Sequence, residues 1–114
     1  MEKIIKEIIA VARKNLADKV VLFGSRARGD HREKSDIDIA VYGVPKEKQF
    51  AFSQDIGNIH TLLQFDIVFI SPETPEALIS NINKDGIILM NKFDEKLDKF
   101  IEATKRLEEA LEEY

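Results

Sequence analysis

Three aspartates stand where carboxylates could work together: Asp36, Asp38 and Asp66. Asp36 and Asp38 alternate with Ile37 and Ile39 in the run DIDIAVY, residues 36–42. The alternation predicts a strand, so both carboxylates leave one face with Cα atoms about 6.5–7 Å apart. Like charges held that close repel, and a divalent cation relieves the repulsion. Mg²⁺ suits the pair, because it accepts a few carboxylates and keeps positions for water and phosphate oxygens. Asp66 interrupts the apolar run QFDIVFI, residues 64–70, where a charge needs a reason. If these two strands are neighbours, one face carries all three aspartates. Three carboxylates and a triphosphate then make a two-metal site, with the attacking hydroxyl activated at one ion and the leaving pyrophosphate steadied at the other. Asp66 would serve as metal ligand, general base or both. The bland alternative is a solvated sheet face. An EF-hand loop needs Gly at its sixth position, where counting from Asp36 places Val41. Glycosyltransferases also use Asp-x-Asp, in much longer chains.

Gly24-Ser25 is the second signal. It follows KVVLF, residues 19–23, which reads as a short buried strand, and it opens a short helix. Backbone N–H groups at such a turn bind anions. Gly24 lets the backbone approach a phosphate, and the Ser25 hydroxyl can donate one more hydrogen bond. Arg26 or Arg28 can add charge-assisted bonds to phosphate oxygens. The segment is neither a Walker A loop nor a dinucleotide fingerprint. Taken alone, Gly-Ser after a strand also fits a plain turn with a helix cap.

The elements that must position these residues follow from periodicity. Ile4, Ile5, Ile8, Ile9 and Ala12 recur at helical spacing, predicting a helix over about 2–16. Ser25 is expected to cap a short helix through Arg28, and Gly29 to end it. Strand 36–42 buries Ile37, Ile39 and Val41 on one face. A helix is expected over most of 46–63, with Gly57 its weak point. Strand 64–70 sets Phe65, Ile67 and Phe69 opposite Asp66. Thr74-Pro75 reads as the start of a helix running to about Lys84, with Gly86 its stop. A short strand over 87–90 and a helix over 93–114 complete an α/β (α+β) arrangement, a mixed β-sheet backed by helices.

The totals narrow the setting. A chain of 114 residues, 44% hydrophobic and 33% charged, fits one core and is too apolar for disorder. No apolar run approaches the roughly 20 residues of a membrane span. No signal peptide is evident at the N-terminus. There is no cysteine, hence no disulfide or thiolate metal site. A cytoplasmic protein is the simplest expectation. A net charge of −4 argues against extended nucleic-acid binding, while Arg26, Arg28, Arg32 and Lys34 leave room for a local phosphate pocket.

The combination carries more than either signal. Gly24-Ser25, ten residues, Asp36-Ile37-Asp38 and a later strand aspartate resemble the DNA polymerase β nucleotidyltransferase superfamily. More narrowly, GSRARGDHREKSDIDIAV, residues 24–41, is similar to the minimal nucleotidyltransferases (MNT), over roughly residues 1–91. The resemblance implies the polymerase β-like fold, with transfer of a nucleoside monophosphate from a triphosphate to a hydroxyl. It implies two Mg²⁺ ions on Asp36, Asp38 and Asp66, with ATP or another NTP held by Gly24, Ser25, Arg26 and Arg28. Which arginine faces the nucleotide stays open. Members pair with an all-helical HEPN protein, often an RNase toxin, and some silence it by transferring AMP from ATP onto a tyrosine. The implied role is antitoxin.

The expected division is a nucleotidyltransferase domain, 1–91, and a terminal amphipathic helix, 92–114. Phe93, Leu97, Phe100, Thr104, Leu107, Leu111 and Tyr114 follow 4–3 heptad spacing. The seam either packs on its own domain or docks a partner helix or a second copy. Phe50, Phe52, Ile56, Ile59, Leu62 and Leu63 are expected in the core, and His31 and His60 on the surface. Two other functions compete: neutralising a helical partner by binding alone, and nucleotidylation of a small molecule such as an antibiotic.

Overall fold

The computed structural model describes residues 1–112. Helices and strands run in the expected order: α1 (Glu2–Lys14), β1 (Lys19–Phe23), α2 (Ser25–Arg28), β2 (Ile37–Tyr42), α3 (Lys46–Gly57), β3 (Phe65–Phe69), α4 (Glu76–Asp85), β4 (Ile87–Asn91) and α5 (Lys92–Glu112). The four strands form one mixed sheet in the order β3-β2-β1-β4. β1 pairs antiparallel with β2 and β4, whereas β2 and β3 run parallel. The parallel pair needs a crossover, and α3 supplies it.

The alternation in β2 is what orients the sheet. Ile37, Ile39 and Val41 are buried with Val20, Leu22 and Met90 under α1 and α3, joined by Ile8, Ala12, Phe52 and Ile56. Each large side chain so buried contributes about 1.5–3 kcal/mol by leaving water. Phe65, Ile67 and Phe69 pack on this cluster from β3, with Phe69 edge-on to Phe52 at 5.5 Å. On the other face, α4 sets Ile82 and Leu78 against Val21, Ala40 and Tyr42. α4 covers only that part of the face. The end carrying the aspartates stays open: Asp36 and Asp66 are exposed and Asp38 is half-buried.

Several boundaries differ from expectation, each for a local reason. α1 stops at Lys14, because Asn15 caps it and Leu16 takes a left-handed φ of 62°. α3 ends at Gly57 instead of reaching 63, the low-propensity residue winning over the apolar residues beyond it. Ile59 still reaches the core, but Leu62 and Phe50 are exposed. Ser25 is not the cap of α2: Gly24 holds that position, with no side-chain cap bond. Thr74 does not cap α4 either. Pro75 precedes the helix, and Thr74 Oγ1 accepts a bond from the Ser71 N–H at 3.0 Å.

α5 departs from the rest. No residue of it is buried, and Phe93, Leu97, Phe100, Leu107 and Leu111 are each more than half exposed. Its root is held by the Arg13–Glu95 ion pair at 2.6 Å and by Lys92, whose N–H bonds to Asp18 O at 2.9 Å. The seam does not pack on its own domain. Tyr114, its last expected member, lies outside the described residues.

Candidate active site

β1, β2 and β3 bring the sequence-predicted residues to one end of one face. The register sets Phe23 opposite Asp38, and Asp38 opposite Asp66. Adjacent strands lie about 4.8 Å apart, so Phe23, Asp38 and Asp66 succeed one another across the sheet, with Gly24 next after Phe23. Asp36 stands just before β2 on the same side as Asp38, two residues away. The parallel pairing that places Asp66 is locked at its start by the Ile37 N–H, which donates to Gln64 O at 2.8 Å.

Gly24 turns the chain from β1 into α2 with φ 74°, a conformation few other residues adopt. Its reason is also steric: a Cβ there would overlap Asp38 Oδ2. The turn and the central carboxylate are thus in contact. α2 has a single turn, and Gly29 ends it in the left-handed region as expected. The Arg28 N–H donates to Gly24 O at 3.1 Å and the Gly29 N–H to Ser25 O at 2.9 Å. The first amides of such a turn have no partner within the helix.

The two arginines are differently placed. Arg26 Nε donates to Ser35 O at 3.0 Å and its Nη2 to Glu33 O at 3.2 Å. Arg26 therefore clips the 30–36 loop to α2. Arg28 Nε meets Asp30 Oδ2 at 3.2 Å, an exposed contact of little energetic weight. Ser35 was not signalled by the sequence beyond standing next to Asp36. Its Oγ accepts from the Arg32 N–H at 2.8 Å while its carbonyl receives Arg26.

The electrostatics single out Asp38. Burial raises its pKa above the usual carboxylate value, and the charges of Asp66 and then Asp36 raise it further; Arg28 acts weakly in the opposite direction. The three carboxylates share an end and a face, yet among the described residues no group of three His, Cys, Asp or Glu is placed to hold a metal ion by itself. An open set of hard oxygen donors under mutual repulsion, beside the Gly24 turn, fits a cation whose remaining positions are filled by substrate oxygens. His31 and His60 are exposed, as expected.

A family model described as "Polymerase beta, Nucleotidyltransferase" matches residues 6–95. Two curated proteins of Methanocaldococcus jannaschii, each named "Putative protein adenylyltransferase", are similar over shorter stretches. One is 47% identical over 45 residues, covering 37% of this chain and 45% of that protein. The other is 50% identical over 54 residues, covering 41% and 54%. The matched stretch thus spans about half the length of these relatives. Among solved structures, "Crystal structure of the toxin-antitoxin with AMP-PNP" superposes with a TM-score of 0.64 at 24% identity, covering 93% of this chain and 90% of that one. A tri-AMPylated Shewanella oneidensis HEPN toxin in complex with its MNT antitoxin gives 0.60 at 21% identity, covering 96% and 90%. At such identities these likenesses show the fold.

Proposed function

The chain belongs to the polymerase beta nucleotidyltransferase family, and from that membership we propose that it moves AMP from ATP to a hydroxyl of a helical, HEPN-type partner, as its antitoxin. The observation that supports the transferase chemistry is the pairing of Asp38 with Asp66 across β2 and β3, with Gly24, just past the end of β1, touching Asp38. Asp36, Asp38 and Asp66 would hold Mg²⁺, two ions when ATP is bound. When bound, the cation supplies charge neutralisation of the triphosphate and a lowered pKa for the attacking hydroxyl. Gly24 and Ser25 receive the terminal phosphates at the turn. Arg28, whose charge already acts on Asp38, is the arginine we assign to phosphate, and Arg26 holds the loop. To Asp66, on the outer strand, we assign the proton of the incoming hydroxyl. The names of the two Methanocaldococcus relatives and the AMP-bearing toxin complex of Shewanella support the donor and the partner. ATP is a cytoplasmic substrate, and no described helix is long and apolar enough to cross a membrane.

We treat residues 1–91 as the catalytic unit and α5 as its partner-docking arm, since the seam is exposed from Phe93 to Leu111. The same exposed seam favours a second reading, neutralisation by binding alone. One experiment separates the two. α-Labelled ATP with Mg²⁺ is added to host lysate, with wild type beside the Asp36→Asn/Asp38→Asn double variant. Label in a protein band from the wild type alone is the expected result. A double variant that still neutralises the partner, with no label from either form, would establish binding alone.

A further inference from the structure

An open cleft of about 620 Å³ lies beside Asp36, between the loop that enters β2 and the segment that enters β3. Glu33, Lys34 and Asp36 form one wall, and Leu62, Leu63 and Gln64 the other. Its size suits a ligand group. Leu62 is 103% exposed, an aliphatic side chain with nothing on it beside a catalytic end. Leu63 anchors that wall by packing on the core, and the Ile37–Gln64 hydrogen bond ties the walls together at their base.

The position of this cleft relative to the phosphate turn gives it a role. In an in-line displacement the entering and leaving oxygens lie on opposite sides of phosphorus, with the ribose oxygen between them. Gly24-Ser25 stands on the β1 flank of Asp38 and Asp66 on the β3 flank. With pyrophosphate leaving over the turn, the nucleophile enters from the β3 side, and the cleft lies at the start of β2 and β3 on that side, lined by Asp36 two residues before Asp38 and by Gln64 two residues before Asp66. The nucleoside leaves this line sideways. Resting on the transferase reading above, we propose that the cleft is the acceptor subsite and seats the hydroxyl-bearing segment of a partner polypeptide against Leu62. The acceptor oxygen bonds to the α-phosphorus, and the bond from that phosphorus to the pyrophosphate oxygen breaks. The bonding pair leaves with pyrophosphate, and the hydroxyl proton passes to the Asp66 carboxylate. Two leucines and an amide, facing a wall where Lys34 offsets one of the two carboxylates of Glu33 and Asp36, suit a polypeptide segment.

The test uses the full chain and the protein that the wild type labels in host lysate, purified and titrated as acceptor with α-labelled ATP. Leu62→Ala and Leu62→Glu both keep the fold, because the side chain is fully exposed. The expected result is an acceptor KM raised about ten-fold by Leu62→Glu and less by Leu62→Ala. Binding of Mg·ATP, followed separately by titration, should stay within about two-fold. An unchanged acceptor KM in both variants overturns the assignment while leaving the transferase reading intact. Weakened ATP binding with an unchanged acceptor KM would place the nucleoside in the cleft and overturn it too. A wild type that labels nothing overturns the transferase reading and this inference with it.

Discussion

Carboxylates occupy both ends of β1 and β2, and the two ends treat them oppositely. At the end where β1 begins, Asp18 and Asp55 each have a partner. Asp18 is paired with Lys92; Asp55, on α3, accepts from Asn15 Nδ2 at 3.0 Å and meets Lys14 at 3.4 Å. The Asn15 hydrogen bond, foremost, holds the Asp55 carboxyl below its usual range. At the end where β2 begins, among the described residues no ion pair or side-chain hydrogen bond engages Asp36, Asp38 or Asp66. There the acids face one another, and Asp38 is pushed up instead of down. Paired acids hold a fold together. Unpaired acids crowded on a rigid sheet are a local conflict, and such conflicts mark working sites.

The comparison breaks most visibly in activity. Asp36→Asn or Asp38→Asn should lower AMP transfer at least about a thousand-fold, while Asp55→Asn leaves it within about two-fold. Comparable losses from both ends, read by label transfer on folded protein, would erase the distinction. Gly24→Ala comes next. The new Cβ meets Asp38 Oδ2 and the φ of 74° disfavours alanine. Transfer should fall about a hundred-fold, with about 1–3 kcal/mol lost in urea unfolding.

Stability sharpens the contrast further. Asn15 is 3% exposed and donates to Val11 O at 3.0 Å as well as to Asp55. Asn15→Ala should cost about 1–2 kcal/mol at pH 7. Because the folded pKa of Asp55 is depressed, its contribution is present above the unfolded value of about 3.9 and lost as pH falls through the folded value. The gap between wild type and variant should therefore narrow in acid, and a gap constant from pH 7 to pH 3 would remove Asp55 from the account. The smallest effect has the opposite sign. The raised pKa of Asp38 means the folded chain holds that proton more tightly than the unfolded chain. Stability conferred by the protonated form falls as pH rises from about 3.9 through the folded value. In EDTA at pH 8, Asp38→Asn should be more stable than wild type by less than about 1 kcal/mol, since the site is partly solvated. Below the unfolded value the advantage disappears, and saturating Mg²⁺ with ATP should offset it by stabilising the wild type more than the variant. A destabilised Asp38→Asn in EDTA would show that the repulsion has no energetic weight.

Much of this site was legible because strand alternation has a strict period. Ile37, Ile39 and Val41 had to go inward, so Asp36 and Asp38 went outward, and the same logic placed Asp66 opposite Phe65 and Ile67. The neighbouring of β2 and β3 was a conditional expectation, and the register Asp38–Asp66 met it. The turn chemistry was read less well. A serine after glycine suggested a capping hydroxyl, but contact with Asp38 demanded the glycine at the cap itself. Arg26 and Arg28 stood as equal candidates for phosphate, and sequence spacing carries no sign that the Arg26 guanidinium folds back onto two carbonyls. Leu62 was expected inside because the helical pattern was extended past Gly57. Once the helix ends there, the wall of a cleft takes its place.

α5 has a further consequence, for how the chain moves through water. Its 21 residues make a rod of about 31 Å that no other element folds over. The Cα radius of gyration is 17.2 Å, against about 13 Å for a compact domain of this length, and the longest extent is 60 Å against 33 and 32 Å. Friction follows the long dimension more than the mass. The isolated chain should diffuse slowly for its size and leave a sizing column early, and its friction should approach the compact value for its mass only when that arm is folded against another body.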